Sequence, residues 1–277
     1  MKNCCNDTRR DNAFDMRNPE DQIQAGNDWY VGDQFKQLAK PGLKFIIEQR
    51  WRCFGEALSD FLKNRTSKGE GEALDYLDAG CGDGINLQWA ERFFQNNHID
   101  IRITALDYNR LRIERVLEKQ LVKEARVASL LEAPFKNSTF DIILCNHVLE
   151  HIENYRKALS EMFRILKPGG LLLLGVPNEG CFLAWLRNNV VQRSILKKTD
   201  HVNFFRSETL SVALSNAGFD VVRTFHEGFL LPYFWAHYVL TYFRWGARLL
   251  SVFGRLLPSQ SGDIMIYAIK PLPGDLL

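Results

Sequence analysis

Residues 74–94 read LDYLDAGCGDGINLQWAERFF. An apolar run, Leu74 to Ala79, passes directly into Gly80, Gly82 and Gly84, and a helical pattern begins at once. Glycines between a buried strand and a helix let the backbone turn tightly and let a ligand approach where a Cβ would stand. The helix start beyond them offers unpaired N–H groups and the positive end of its dipole. The loop is therefore suited to an anionic or strongly polar group, although a plain strand-to-helix turn would need glycine for its shape alone.

Strands and helices alternate outward from this stretch. Strands are predicted at 74–79, 101–106, 125–128, 140–145, 170–176, 219–226 and 263–270, and helices at 84–97, 109–122, 153–166 and 206–217. Such alternation implies a doubly wound, mostly parallel α/β sheet covered on both faces. KPGG, residues 167–170, reads as the turn before the fifth strand. Upstream, residues 1–32 are polar and read as a loose tail, 33–66 as a helical cap divided at Pro41, and 63–72 as a linker. The main domain is expected over 70–277, with 227–261 a hydrophobic helical insertion.

In such sheets ligands bind beyond the carboxyl ends of the strands. The second strand ends in Asp107-Tyr108, where an acidic residue can accept from both ribose hydroxyls of a nucleotide; capping of the next helix is the plainer alternative. The fourth strand ends in Asn146-His147. Dinucleotide loops read GxGxxG, whereas this loop is GxGxG, so a nicotinamide cofactor is disfavoured.

These residues resemble the class I S-adenosylmethionine-dependent methyltransferases, in the branch acting on small molecules and lipid precursors. LDAGCGDG resembles that family's first motif, and Asp107 matches its acidic residue after the second strand. LLEAPFKNSTFDIILCNHVLEHI, RILKPGGLLLLGVPN and HVNFFRSETLSVALSNAGFDVV follow in the family's order. The resemblance implies a Rossmann-like sheet of seven strands, the last antiparallel between the fifth and sixth. It implies S-adenosylmethionine as cofactor, with Gly80, Cys81, Gly82 and Gly84 along its methionine portion. Asp78 would anchor the turn and the amino group, Asp107 and Tyr108 would meet the ribose, Ser129 and Leu130 the adenine, and Asn146 would lie beneath the reacting end. Many relatives carry Asp where Ser129 stands, and a serine accepts from the adenine amino group only weakly.

Methyl transfer to a hydroxyl requires removal of a proton, and histidine is the usual base near neutral pH. His201 and His151 are the candidates for catalysis, His201 because its segment covers the acceptor in relatives. His147, Glu150 and His151 form H-x-x-E-H; on a helix they would share a face able to bind a metal, but relatives with a metal carry Glu at the first position, so none is expected.

Within the insertion, His237, Thr241, Arg244, Arg248, Ser251 and Arg255 recur at steps of three and four, a narrow stripe on one otherwise aromatic helix between Pro232 and Pro258. Three internal arginines oppose a membrane span, and a cationic stripe beside an apolar face suits peripheral membrane contact through 233–257. Packing against the domain, or a homodimer contact, is the alternative. The net charge of +2 and the lack of a basic run give no reason to expect nucleic acid. Six cysteines without a CxxC pair, and a polar N-terminus, suggest a cytoplasmic protein, membrane-associated if the insertion meets lipid. The reading is thus a methyltransferase for O-methylation of a small-molecule, glycan or lipid-linked acceptor. A catalytically silent Rossmann-fold binding partner and an NAD-dependent oxidoreductase are its rivals.

Overall fold

The computed structural model describes residues 32–65, 73–193 and 200–274. Most of the expected tail, Cys4 and Cys5, and most of the expected linker lie outside these.

The sheet has seven strands: β1 (Leu74–Ala79), β2 (Ile101–Asp107), β3 (Glu124–Val127), β4 (Phe140–Asn146), β5 (Leu166–Pro177), β6 (Asp220–Phe229) and β7 (Ser261–Ile269). Their order is β3-β2-β1-β4-β5-β7-β6, and β7 alone runs antiparallel to its neighbours. The order reverses at β1, so the cleft beyond the ends of β1 and β4 is where a ligand belongs. Alternate residues of β4 face opposite ways. Ile142 and Leu144 join Trp51, Phe54 and Phe94 on one side. Ile143 and Cys145 join Leu159, Met162 and Leu214 on the other. Both faces are buried, which is why the strands read as continuous apolar runs.

The cap is a 3-10 turn (Gln34–Ala39) followed by α1 (Pro41–Asn64), with Pro41 at the first helical position, where its missing N–H costs nothing. The core helices are α2 (Ile85–Asn96), α3 (Arg110–Glu118), α4 (Tyr155–Ile165) and, after the short α5 (Phe182–Leu186), α6 (Ser207–Asn216). Gly218, at φ +98°, ends α6 as expected of a glycine just past a helix. KPGG differs from its sequence reading: β5 already begins at Leu166, opposite Phe140, and an irregularity before Ile142 absorbs the extra residues. Gly169 donates its N–H to the Lys270 carbonyl (2.7 Å), so this stretch keeps sheet partners instead of forming a free turn.

The insertion is two helices, not one: α7 (Phe234–Tyr242) and α8 (Arg244–Leu256), broken at extended Phe243 (φ −99°, ψ 140°). They lie against α1 and β6 with backbones in contact. A Cβ on Gly42 would fall 1.9 Å from the Thr241 carbonyl oxygen, and one on Gly254 would fall 1.7 Å from that of Gly228. Of the polar stripe only Ser251 is buried; Arg244, Arg248 and Arg255 are exposed. Ser251 bonds buried Glu227, Arg255 pairs with Glu227 (3.0 Å) and Gln49 (2.8 Å), and Arg244 pairs with Glu48 (3.1 Å). These acids lie on α1 and β6, so Arg244 and Arg255 tie α8 to the domain while their side chains stay 62% and 45% exposed. The aromatic side faces out: Trp235, Trp245 and Leu256 are 68%, 63% and 69% exposed. Among the described residues, no helix is long and apolar enough to cross a membrane.

Candidate active site

One cavity of about 800 Å³ runs from the glycine loop to the helical insertion. At one end stand Gly80 and Gly82, which with Gly84 adopt positive φ (87°, 55° and 91°), a conformation that L side chains rarely adopt; Gly84 does not line the cavity but packs against Leu121, Leu87 and Val116. A Cβ on Gly82 would stand 2.6 Å from the Gln34 side-chain oxygen, so the loop is also closed in from the cap. Gln34 accepts from the Asp83 N–H (3.1 Å) and donates its own backbone N–H to the Asp83 carboxylate (2.6 Å). Asp107 accepts from the Gly82 N–H (2.9 Å) with one oxygen and from the Asn109 N–H (2.9 Å) with the other. It lines the cavity, and each oxygen keeps a lone pair for a further donor. Tyr108, Leu130 and Asn146 line the same space, Asn146 with its buried side-chain oxygen unpartnered. Ser129 lines it too, but its hydroxyl already accepts from the Leu131 N–H (3.1 Å), which leaves little acceptor capacity for an adenine amino group.

Asp78 differs from its expected role. It is fully buried behind the loop, and neither carboxyl oxygen has a hydrogen-bond partner; the turn is anchored by Asp107 instead. Burial, and then the charge of Asp107, push the Asp78 carboxyl up to about 8. Burial also raises Asp107, with Arg112 and the two backbone donors opposing it. Two buried carboxyls beside one loop disfavour each other's ionised form, and a cation placed there would relieve both.

The acceptor end is built from segments far apart in the chain. His147 sits at φ +56°, and only Leu149–His151 form a 3-10 turn, so H-x-x-E-H does not lie along one helical face. His147 instead bridges Glu150 (3.1 Å) and Asp263 (3.3 Å), and Asp263 takes Arg50 from α1 (2.9 Å). Burial and the Arg50 charge disfavour the His147 cation, but its contacts with Asp263 and Glu150 outweigh them and raise its pKa. Burial likewise opposes ionisation of Glu150, and His147 reverses the balance, holding the carboxyl down. Beside them the rings of His151 and His201 meet edge to face, 4.9 Å between centroids. Burial, with Glu150 opposing and His201 assisting, lowers the His151 pKa, which keeps that ring neutral. The His201 Nδ1 lies 2.7 Å from Glu179, and Glu179 takes Arg187 on its other oxygen (2.5 Å). Glu150, His151 and His201 each bring one ligating atom within 4.8 Å of the others, so a cation cluster, if any, comprises these three and not His147. Leu43, Ile46, Phe229 and Leu250 supply an apolar wall, and His237 faces the cavity from α7.

Residues 34–224 match the family model described as a methyltransferase domain. The chain belongs to the class I S-adenosylmethionine-dependent methyltransferases. It is 27% identical over 150 residues to a probable S-adenosylmethionine-dependent methyltransferase of Mycolicibacterium smegmatis, covering 54% of this chain and 53% of that protein. It is 28% identical over 167 residues to the demethylmenaquinone methyltransferase of Leptospira interrogans, covering 56% and 62%. The chain thus spans little more than half the length of either relative. A putative sarcosine dimethylglycine methyltransferase from Galdieria sulphuraria shares the fold at a TM-score of 0.56 and 17% identity, over 79% of this chain and 86% of that one.

The family's cofactor, S-adenosylmethionine, fits what the site offers. Its ammonium and sulfonium cations suit the region of Asp78 and Asp107, its ribose suits the free lone pairs of Asp107, and its methionine backbone suits the close approach that Gly80 and Gly82 allow. The family match is to a methyltransferase domain, whose cofactor is S-adenosylmethionine and not a nicotinamide dinucleotide. Of the cofactor residues named from the sequence, Gly80, Cys81, Gly82, Asp107, Tyr108, Ser129, Leu130 and Asn146 line the cavity; Gln34, Arg50, Glu179, Arg187, Glu227 and Asp263 line it too and were not named. Only Glu179 carried a sequence signal, as a charged residue just beyond the end of β5.

Proposed function

We propose that this methyltransferase transfers a methyl group to a hydroxyl of an uncharged acceptor that carries an apolar portion. The observation that carries the reading is the His151–His201 pair, facing the same cavity as the glycine loop. When bound, S-adenosylmethionine supplies an activated methyl group on sulfur. His201 would take the hydroxyl proton at Nε2 as the acceptor oxygen gains the methyl group that the bound cofactor would supply, the electron pair of the broken bond remaining with the cofactor's sulfur. Neutral His151 orients the hydroxyl beside it. No metal is assigned a role in this step.

The acceptor class follows from the wall chemistry. Arg50 is matched by Asp263, Arg187 by Glu179 and Glu150 by His147, so no lining arginine of this end is left to hold an anionic acceptor. Donors and acceptors alternate with an apolar wall, as suits a hydroxyl-bearing ring attached to a hydrophobic group. Outside the cavity, the exposed aromatic face of α7 and α8 lies in a stretch, 230–260, with three arginines and no acidic residue. That face supports contact with a membrane interface from which a lipid-linked acceptor would be drawn. The name of the Leptospira relative, which concerns a quinone precursor, agrees with such a class.

The test is incubation with methyl-labelled S-adenosylmethionine and, separately, lipid and aqueous extracts of the source cells, with product identification by mass spectrometry. Label on an oxygen of a lipid-phase product supports the reading. Label on nitrogen or carbon overturns O-methylation, label confined to the aqueous extract overturns the lipid-linked acceptor, and bound cofactor with no transfer into either supports a silent binding partner.

A further inference from the structure

Glu179 stands just beyond β5, 6% exposed, and contributes nothing to the cofactor half of the cavity. One of its oxygens accepts from the Arg187 guanidinium, and the other lies 2.7 Å from the His201 Nδ1. Arg187 is itself buried and fixed by Asn188, whose side-chain oxygen accepts from its Nε (2.8 Å). Burial favours the neutral acid, but His201 and Arg187 together hold Glu179 ionised. An ionised carboxylate can only accept hydrogen bonds, so the Nδ1 of His201 must carry the hydrogen. In the neutral ring the other nitrogen then has a lone pair.

We propose that Glu179 is a positioning residue for His201. Anchored by Arg187, it fixes the neutral imidazole as the Nδ1–H tautomer and leaves Nε2 as the proton acceptor in the cavity. In water a free imidazole prefers the opposite tautomer, with hydrogen on Nε2, and such a ring cannot take a proton there. Once Nε2 has taken the acceptor's hydroxyl proton, the same carboxylate neutralises the imidazolium until the proton leaves to solvent. His151 lacks this arrangement. Its Nδ1 lies 3.4 Å from the Asp200 carbonyl, a longer contact to an uncharged group. Of the two adjacent rings, the structure therefore equips His201 as the base and leaves His151 to orient. An ion pair kept for stability alone would be complete with Arg187 and Glu179; the histidine adds a third member whose free nitrogen serves the reaction.

The inference rests on the reading of His201 as a base, and its test needs no acceptor. The full chain, labelled with nitrogen-15 and saturated with S-adenosylhomocysteine, is examined by long-range proton–nitrogen NMR at a pH where the ring is neutral. Wild type is expected to show Nδ1–H at His201, and Glu179→Ala to show mainly Nε2–H with unchanged affinity for S-adenosylhomocysteine. Glu179→Gln, which keeps a carbonyl acceptor, is expected to restore part of the Nδ1–H population. Nε2–H in the wild type, or Nδ1–H persisting in Glu179→Ala, overturns the proposal. If Glu179→Ala does not fold, the wild-type tautomer still decides, together with Arg187→Met, which keeps the carboxylate and should keep Nδ1–H. An acceptor methylated without loss of a proton would end the base reading and leave the tautomer result standing, so the two failures are distinct.

Discussion

Replacing Asp107 tests the cofactor half of the site most directly. The carboxylate is 5% exposed, and its two oxygens hold the N–H groups of Gly82 and Asn109 at 2.9 Å each. Its remaining lone pairs face the cavity, where a ribose diol would donate twice. A hydrogen bond to a charged group contributes about 1.5–3 kcal/mol net. The two ribose bonds share one carboxylate and are not additive, so the net loss in Asp107→Ala is set at about the same 1.5–3 kcal/mol, roughly ten- to 150-fold in affinity for S-adenosylmethionine. The variant also frees the Gly82 N–H and loosens the loop, which adds to the loss and cannot offset it. Asp107→Asn is not a rescue, because its amide nitrogen would face one of two backbone donors. Protonation acts in the same direction. Burial raises the Asp107 pKa, and donation from ribose favours the ionised form. Wild-type affinity should therefore be full above that raised value and fall as pH drops through it, while Asp107→Ala lacks this contribution. Isothermal calorimetry with S-adenosylhomocysteine at a series of pH values reads both effects. Unchanged affinity in Asp107→Ala, in a variant with an unchanged melting profile, would remove Asp107 from the site.

Four further outcomes are expected. Asp78 has a folded pKa of about 8 against an ordinary 3.8, so the cofactor-free fold binds an extra proton between these values and loses stability as pH rises across them, on the order of a few kcal/mol; Asp78→Asn should raise the melting temperature at pH 8 more than at pH 5, and equal shifts would refute the assignment. His201→Ala should lower turnover roughly a hundredfold or more, while chelation leaves wild-type turnover intact; loss on chelation, restored by a divalent ion, would make Glu150, His151 and His201 ligands instead. Because Arg244 and Arg255 face protein acids, Trp235→Ser with Trp245→Ser should weaken co-sedimentation with anionic vesicles more than Arg244→Glu does, and a wild type that ignores vesicles would end the membrane reading. Gly254→Ala places a Cβ against the Gly228 carbonyl and should cost about 1–3 kcal/mol in denaturant unfolding; no loss would mean that α8 is not held against β6.

The parts of this molecule legible in the sequence are those encoded by neighbours in the chain. β1 and the glycine loop occupy consecutive positions, and a strand buried on both faces must be a continuous apolar run, so its ends show where the run stops. Asp107 was legible for the same reason: the rule placing ligands at strand ends needs only the end of β2. The acceptor half obeys no such local rule. Arg50 and Asp263 are 213 residues apart in sequence, and neither carries a mark of its partner. His147, Glu150 and His151 had helical spacing, but the left-handed backbone at His147 turns it away toward Asp263, and His201 arrives from another segment to take its place.

The insertion shows the same limit and what lies beyond it. Periodicity correctly drew a polar stripe on an aromatic surface, and charge on a helix ordinarily marks the solvated side. Here the acids that receive it, Glu48 and Glu227, belong to α1 and β6, so Arg244 and Arg255 pair with the domain from an exposed edge, and much of the aromatic side is exposed as well. Ala247, Leu250 and Ser251 bury the inner side of α8 and, with the ion pairs of Arg244 and Arg255 at its edge, give it a fixed seat. The close backbone contacts at Gly42 and Gly254 hold that seat rigid. The aromatic residues are thus not consumed by the fold. His237 and Leu250 of the same two helices line the cavity, so one element both walls the acceptor site and exposes a hydrophobic surface. An acceptor with an apolar tail is the class of substrate for which those two properties belong on one element.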